Sequence, residues 1–152
     1  MMEPLNFPPA QLKLSRKGEQ LFVWCVIRKK HLLLTPEEWV RQHTIHFLIG
    51  EKNVPIGRIG SEYTVQINKQ ARRCDVVVFS GEGKPMLIVE CKATSIPLSE
   101  QTFLQTSNYV QQLRAPYFWM TNGHHHVIAR IGENALSYLE ELEDYSKWKM
   151  DN

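Results

Sequence analysis

The sequence predicts an α/β (α+β) domain built on a mixed central β-sheet flanked by helices. Three observations carry this expectation. Two apolar runs rich in β-formers, residues 74–79 (CDVVVF) and 86–91 (MLIVEC), are joined by the glycine-containing segment 80–85, as in an antiparallel hairpin. A strong helix start stands upstream at Thr35-Pro36-Glu37-Glu38. A second helical segment opens at Ser99, between the hairpin and another apolar run at 117–120 (YFWM). Strands interleaved with helices in this way call for a sheet with helices packed on its faces.

Each element follows in chain order. Residues 1–20 hold Pro4, Pro8 and Pro9 and then a polar cluster ending near Gly18, the pattern of an extended N-terminal arm. Within 21–34, the run 21–27 (LFVWCVI) is bounded by Arg28-Lys29-Lys30 and followed by a second short run, which predicts a strand pair. Thr35 then caps a helix, Pro36 suits its first position and Glu38 completes a capping box, so the helix should run to about Gly50. After a loop over 50–60 with Pro55 and Gly57, Tyr63, Val65 and Ile67 alternate with Glu62, Thr64, Gln66 and Asn68 as in a half-buried strand.

Beyond the hairpin, the helix from Ser99 should end at Leu113, before Ala115-Pro116. The strand at 117–120 reaches the turn Asn122-Gly123, and 126–131 pairs back against it. Residues 133–148 read as a closing amphipathic helix with Leu136, Leu139, Leu142 and Tyr145 on one side. Residues 35–131 would then form the core of a single domain spanning 1–152.

The gross numbers agree with one folded unit. A length of 152 residues with 43% hydrophobic content fills a single core, and 22% charged residues are unlike the profile of disorder. Lys plus Arg exceed Asp plus Glu by only 18 to 16, so the chain lacks the large basic excess of many dedicated DNA binders. Cys25, Cys74 and Cys91 are odd in number and lie in apolar or strand-like stretches, which argues against a disulfide framework. The start Met-Met-Glu-Pro is not a basic segment leading into an apolar run, and no stretch approaches the roughly 18 apolar residues of a membrane span. A cytoplasmic protein without a membrane anchor is therefore expected. The sequence neither requires nor excludes a homo-oligomer.

The chemistry concentrates around the hairpin. Residues two apart on a strand share a face, so Glu90 and Lys92 emerge together while Cys91 turns toward the packing layer. Asp75 begins the preceding strand, and antiparallel pairing brings it alongside Glu90 at the end of the next. Phosphodiester hydrolysis needs a divalent ion on hard carboxylate oxygens and an activated water. Asp75 and Glu90 are the candidate Mg²⁺ ligands, with Mn²⁺ as a substitute and the backbone carbonyl of Cys91 as an extra ligand. Lys92 is the candidate to orient the water and neutralise charge in the transition state. The structural alternative is a Glu90–Lys92 salt bridge beside a turn-capping Asp75.

The wider context carries a family resemblance. The segments Arg28-Lys29-Lys30, 34–42 (LTPEEWVRQ), Arg73-Cys74-Asp75, Gly83-Lys84-Pro85, Glu90-Cys91-Lys92 and Thr121-Asn122-Gly123 resemble the N-terminal nuclease domain of type I restriction enzyme R subunits. The likeness is to a small stand-alone form of that domain, within the PD-(D/E)xK superfamily, and spans about residues 28 to 123. It implies a restriction-endonuclease-like core and Mg²⁺-dependent DNA cleavage by Asp75, Glu90 and Lys92. It also implies an assisting glutamate on the first helix, Glu38 or Glu37. Two departures stand out. Cys74 replaces the superfamily's proline before the aspartate, and 1–152 contains no phosphate-binding Gly-x-x-x-x-Gly-Lys-Ser/Thr, so ATP-driven translocation is not expected of this chain.

Gln105 and Tyr109 lie four apart on one helix face and resemble the Gln-x-x-x-Tyr motif of superfamily exonucleases. In that reading Gln105 bonds near the site and Tyr109 contacts phosphate; in the other, Phe103, Tyr109 and Leu113 simply pack. Arg72 and Arg73, just ahead of Asp75, are candidate DNA contacts or solvated strand-flanking charges. Glu37 and Glu38 would equally serve the helix dipole alone. His124-His125-His126 is disfavoured as a zinc site, because a strand splits consecutive side chains between faces. Trp24, Trp39, Trp119 and Trp148 are expected in the core. Two function classes remain: an active nuclease, or an inert nuclease-fold module that binds nucleic acid or a partner protein.

Overall fold

A computed structural model describes residues 2–150. Met1, at the start of the expected arm, and Asp151 and Asn152 lie outside the described residues. The strands are β1 (Leu14–Lys17), β2 (Gln20–Cys25), β3 (Lys30–Leu33), β4 (Ile59–Ile67), β5 (Gln70–Phe79), β6 (Pro85–Cys91), β7 (Tyr117–Thr121), β8 (His126–Ile131) and β9 (Leu136–Leu139). The helices are α1 (Pro36–Gly50) and α2 (Glu100–Gln112), with single 3-10 turns at Ile56–Arg58 and Tyr145–Lys147. β1, β2 and β3 make a small antiparallel sheet, and β4 to β9 make a six-stranded sheet in sequence order.

All pairings in the large sheet are antiparallel except β6 with β7, so the sheet is mixed as expected. That exception follows from α2, which carries the chain back over the sheet as a parallel crossover requires. The apolar sheet faces are covered on both sides. Val76, Val78, Leu87, Val89 and Cys91 pack with Val40, Ile45 and Leu48 of α1. Val77, Ile88 and Phe118 pack with Phe103 and Val110 of α2.

α1 begins where its sequence says it should. Thr35 has extended backbone, and its side chain accepts from the Glu38 N–H at 3.0 Å, with Pro36 at the first position. The box is only half closed, because the Glu38 carboxylate turns to Arg41 and Gln42 instead of reaching back. Removing the cap oxygen in Thr35→Ala should lower stability by about 1 kcal/mol in urea unfolding. A loss below about 0.3 kcal/mol would mean that tertiary packing alone holds the first turn.

Four expectations need correction. The arm is shorter than 1–20, because Leu14–Lys17 is a strand that pairs with β2 and enlarges the strand pair to three. The preceding residues do lie on the domain, with Phe7 seated among the rings of His43, Phe47, Trp119 and His126. The β5 strand starts earlier than residue 74, so Arg72 and Arg73 lie within it. Asn68 and Lys69 both take positive φ (49° and 67°), the two-residue turn that suits the strand twist and lets pairing begin at Ile67 with Gln70. Trp119 and Trp148 are buried, but Trp24 and Trp39 are only partly so.

The largest correction is at the C-terminus, where 133–148 is not a helix. Leu136 and Leu139 belong to β9, opposite Ile131 and Ile128 of β8, and Gly132 N–H bonds the Ala135 carbonyl to close the hairpin. Leu142 and Trp148 then drop into the core from irregular backbone, at 1% and 7% exposure. Apolar residues three apart satisfied a helical period, but pairing with an open sheet edge and two core sites captured them separately.

Candidate active site

The site forms where the buried part of β5 ends. Val76, Val77 and Val78 are fully buried, whereas Asp75 lies just beyond them, its side chain 20% exposed. β5 pairs with β6 in the register Val76 to Val89, and one step further along that register Asp75 falls beside Glu90. Asp75 Oδ2 accepts from the backbone N–H of Cys91, the residue between Glu90 and Lys92, at 2.8 Å. The Glu90 carboxylate stands 3.6 Å from Lys92 Nζ and accepts from Thr106 of α2 at 3.3 Å. The Lys92 N–H bonds the Thr121 carbonyl, so the end of β6 is tied to β7. Cys91 is buried toward α1, 3.8 Å from the Thr44 hydroxyl, and burial pushes its thiol well above the ordinary range. It is a packing residue and not a nucleophile.

A buried arginine organises the acids around Asp75. Arg41 of α1, 5% exposed, places Nη1 2.5 Å from Glu38, and Nη2 2.7 Å from Glu37 and 2.8 Å from Asp75 Oδ1. Burial works against its charge, but the Asp75 hydrogen bond and the charges of Glu38 and Asp75 outweigh it, so its pKa rises. Its Nε finds no hydrogen-bond partner among the described residues. Glu38 is 7% exposed with both oxygens taken, one by Arg41 and one by Gln42. Glu37 is 48% exposed, and its pKa is raised first by burial and then by the charge of Asp75. Both acids, three and four residues before Arg41, reach its guanidinium, but only Glu38 is buried.

Glu62 of β4 also belongs here, and sequence reasoning missed it. The pairs Ser61 with Val76 and Tyr63 with Cys74 set it opposite Asp75. Its φ of 49° is left-handed, and the kink folds the Tyr63 ring back over Gly60, where an added Cβ would meet the ring at 2.7 Å. Tyr63 is therefore exposed rather than on the inward face with Val65. The Glu62 carboxylate contacts Arg28, lies 3.4 Å from Arg73 and stands 3.9 Å from Arg41. Its only sequence signal was an acid in an alternating strand, which reads as solvent-facing.

The α2 candidates divide. Gln105 is exposed, and Thr106 is the α2 residue that bonds Glu90. The Tyr109 hydroxyl lies 3.1 Å from Cys74 Sγ, and the Arg72 guanidinium covers the Tyr109 ring at 3.8 Å. Burial raises the pKa of both Tyr109 and Cys74, so phenol and thiol stay neutral. Cys74, standing where a proline was expected, is thus a buried partner for Tyr109.

Among the described residues, no three His, Cys, Asp or Glu side chains group closely enough to hold a metal. Zinc, which takes four protein ligands or three with an open position, does not fit. His124 and His126 instead meet Glu3 and the Asn6 carbonyl. Mg²⁺ asks for less, because it takes one or two carboxylates and keeps several waters. Asp75 and Glu90, 20% and 23% exposed, are the hard carboxylate donors that such an ion would take, with Asp75 bonded to Arg41 of α1 and Glu90 to Thr106 of α2. No helix among the described residues is long and apolar enough to cross a membrane.

Comparison with known proteins agrees with this architecture. A search of curated proteins returns no significant match. The family described as type I restriction enzyme R protein N terminus (HSDR_N) matches residues 36–144, from the start of α1 to beyond β9. The match takes in Asp75, Glu90 and Lys92 together with the Arg41 cluster, and leaves Arg28-Lys29-Lys30 outside it. With most of its length covered, including every strand of the large sheet, the chain belongs to the type I restriction enzyme R protein N-terminal family.

Proposed function

We propose that this nuclease-like module is a Mg²⁺-dependent deoxyribonuclease of the PD-(D/E)xK kind, an endonuclease in preference to an exonuclease. The observation that carries the proposal is the hydrogen bond from the Cys91 N–H to Asp75, which joins the aspartate to the strand end bearing Glu90 and Lys92. Asp75 and Glu90, with the Cys91 carbonyl, would hold Mg²⁺ or Mn²⁺. Bound there, the ion supplies Lewis-acid polarisation of the phosphate. Lys92, 3.6 Å from Glu90, orients the attacking water and offsets negative charge developing on the phosphate. Arg41, braced by Glu38, fixes the Asp75 carboxylate, and Glu37 is the more accessible helical acid. Thr106 takes the place beside Glu90 expected of Gln105, which remains a surface contact. Arg73, 61% exposed and paired with Glu62, is the strand arginine more open to DNA, since Arg72 stacks on Tyr109.

One observation favours a second reading. Arg41 already holds one Asp75 oxygen and the Cys91 N–H the other, as in an inert module that binds nucleic acid or a protein partner without cutting. Cleavage assays separate the two. Purified protein should cut duplex, single-stranded or branched DNA with Mg²⁺ or Mn²⁺, and EDTA should abolish it. No cleavage of any of the three, together with no Mn²⁺ binding by calorimetry, establishes the inert module instead.

A further inference from the structure

Two arginines, one from the turn between β2 and β3 and one from β5, converge on one carboxylate at the edge of the candidate site. Arg28 lies in the turn that follows β2, its backbone N–H 3.4 Å from Cys25 Sγ, and Arg73 lies on β5. Both reach Glu62 of β4, with side chains 25%, 61% and 22% exposed for Arg28, Arg73 and Glu62. The same Glu62 carboxylate stands 3.9 Å from Arg41, which in turn bonds Asp75 at 2.8 Å. The pair therefore sits one guanidinium away from Asp75. Neither Arg28 nor Arg73 is needed there to hold the core, because both remain partly in water. Two guanidiniums directed at one point repel each other unless an anion lies between them, and Glu62 takes a left-handed backbone (φ 49°) at the point that supplies it.

We propose that Arg28 and Arg73 form a clamp for a DNA backbone phosphate beside Asp75, and that Glu62 is its resident occupant in the free protein. A phosphodiester shares one negative charge between two non-bridging oxygens, as a carboxylate shares one between its two, so both offer paired guanidiniums the same kind of acceptor pair. On binding, the phosphate takes both arginines and Glu62 is released toward solvent, which it already partly faces. Arg41 keeps Asp75 in place during the exchange through its separate bond to Oδ1. The proposal rests on the nuclease reading and adds two residues to it, Arg28 and Glu62, together with the competition between Glu62 and substrate.

The test is DNA binding by the full chain in EDTA, so that no cleavage intervenes, with labelled duplex DNA across a salt series. Arg28→Ala and Arg73→Ala should each weaken binding and reduce the slope of log affinity against log salt by about 1. Glu62→Gln should bind about two- to fivefold more tightly, the range of one partly exposed ion pair released from competition. Lys147→Ala, an exposed lysine on the C-terminal 3-10 turn, should leave the slope unchanged. Arg73 is the most exposed member, so its variant should fold normally and serves as the deciding one. Wild-type slopes in Arg73→Ala and Arg28→Ala, or weaker binding by a folded Glu62→Gln, overturn the clamp. If wild type nevertheless cuts DNA with Mg²⁺, only the clamp has failed. If wild type neither binds nor cuts DNA, the nuclease reading has failed and the clamp with it.

Discussion

Lys92→Ala should slow DNA cleavage by about 10²- to 10⁴-fold, the range of a positioned acid–base group, while Mn²⁺ affinity stays near the wild-type value. The reason is a division of roles around one strand end. Asp75 and Glu90 supply the negative charge that would hold an ion, whereas the Lys92 ammonium, beside Glu90, acts on water and on charge that develops only in the transition state. Removing the lysine leaves the scaffold standing, because the strand end is held by the backbone bond from Lys92 N–H to Thr121 and by the Cys91 N–H to Asp75. Asp75→Ala should fail differently, losing both ion affinity and cleavage. Calorimetric titration with Mn²⁺ and cleavage rates, measured on both variants, distinguish the two failures. Unchanged cleavage in Lys92→Ala would assign the activity to another site or to a contaminant.

Arg41→Ala should be the most destabilising single change around the site, by about 3–5 kcal/mol, the cost of removing one partner from a buried ion cluster. Arg41 is 5% exposed and Glu38 7%, so its loss leaves Glu38 with only Gln42 and frees Oδ1 of Asp75. Arg41→Lys should recover only part of the loss. A lysine ammonium is a single point, and it cannot reproduce the fork whose two ends meet Glu37, Glu38 and Asp75 at once. Urea unfolding followed by circular dichroism measures both variants, and an unchanged m-value keeps the comparison valid. A loss under about 1 kcal/mol in Arg41→Ala would show that Arg41 is incidental to the fold, and that packing alone places Asp75.

The features legible in the chain itself are those written in short-range patterns. Thr35, Pro36 and the acids of the first turn specify the start of α1 because capping is settled within four residues. The β5–β6 hairpin, and with it the nearness of Asp75 to the Glu90-Cys91-Lys92 strand end, follows from two apolar runs and the turn between them. Where a pattern fits two structures, the chain alone could not choose. Leu136, Leu139 and Leu142 satisfy a helical period, and the decision for a strand came from a free edge on β8 and core sites waiting for Leu142 and Trp148.

The charge network was least legible, for a related reason. Arg41 follows Glu37 and Glu38 by four and three residues, so those pairs were available locally, but its bond to Asp75 joins residues 34 apart. Glu62 looked like an outward strand residue until its left-handed backbone turned it toward three arginines. Thr106, one position from Gln105, became the partner of Glu90 through the rotation of α2 on the sheet. By itself, then, the sequence determined the family, the mixed sheet with α1 and α2, and the neighbouring ends of β5 and β6 where Asp75 and Glu90 lie, while the third helix expected over 133–148 was not one. Apart from the Glu90–Lys92 pair, which two-residue spacing on one strand already offered, the charges that Asp75, Glu90 and Lys92 meet were decided only by the tertiary structure, because ion pairing across packed elements depends on distances that no local period encodes.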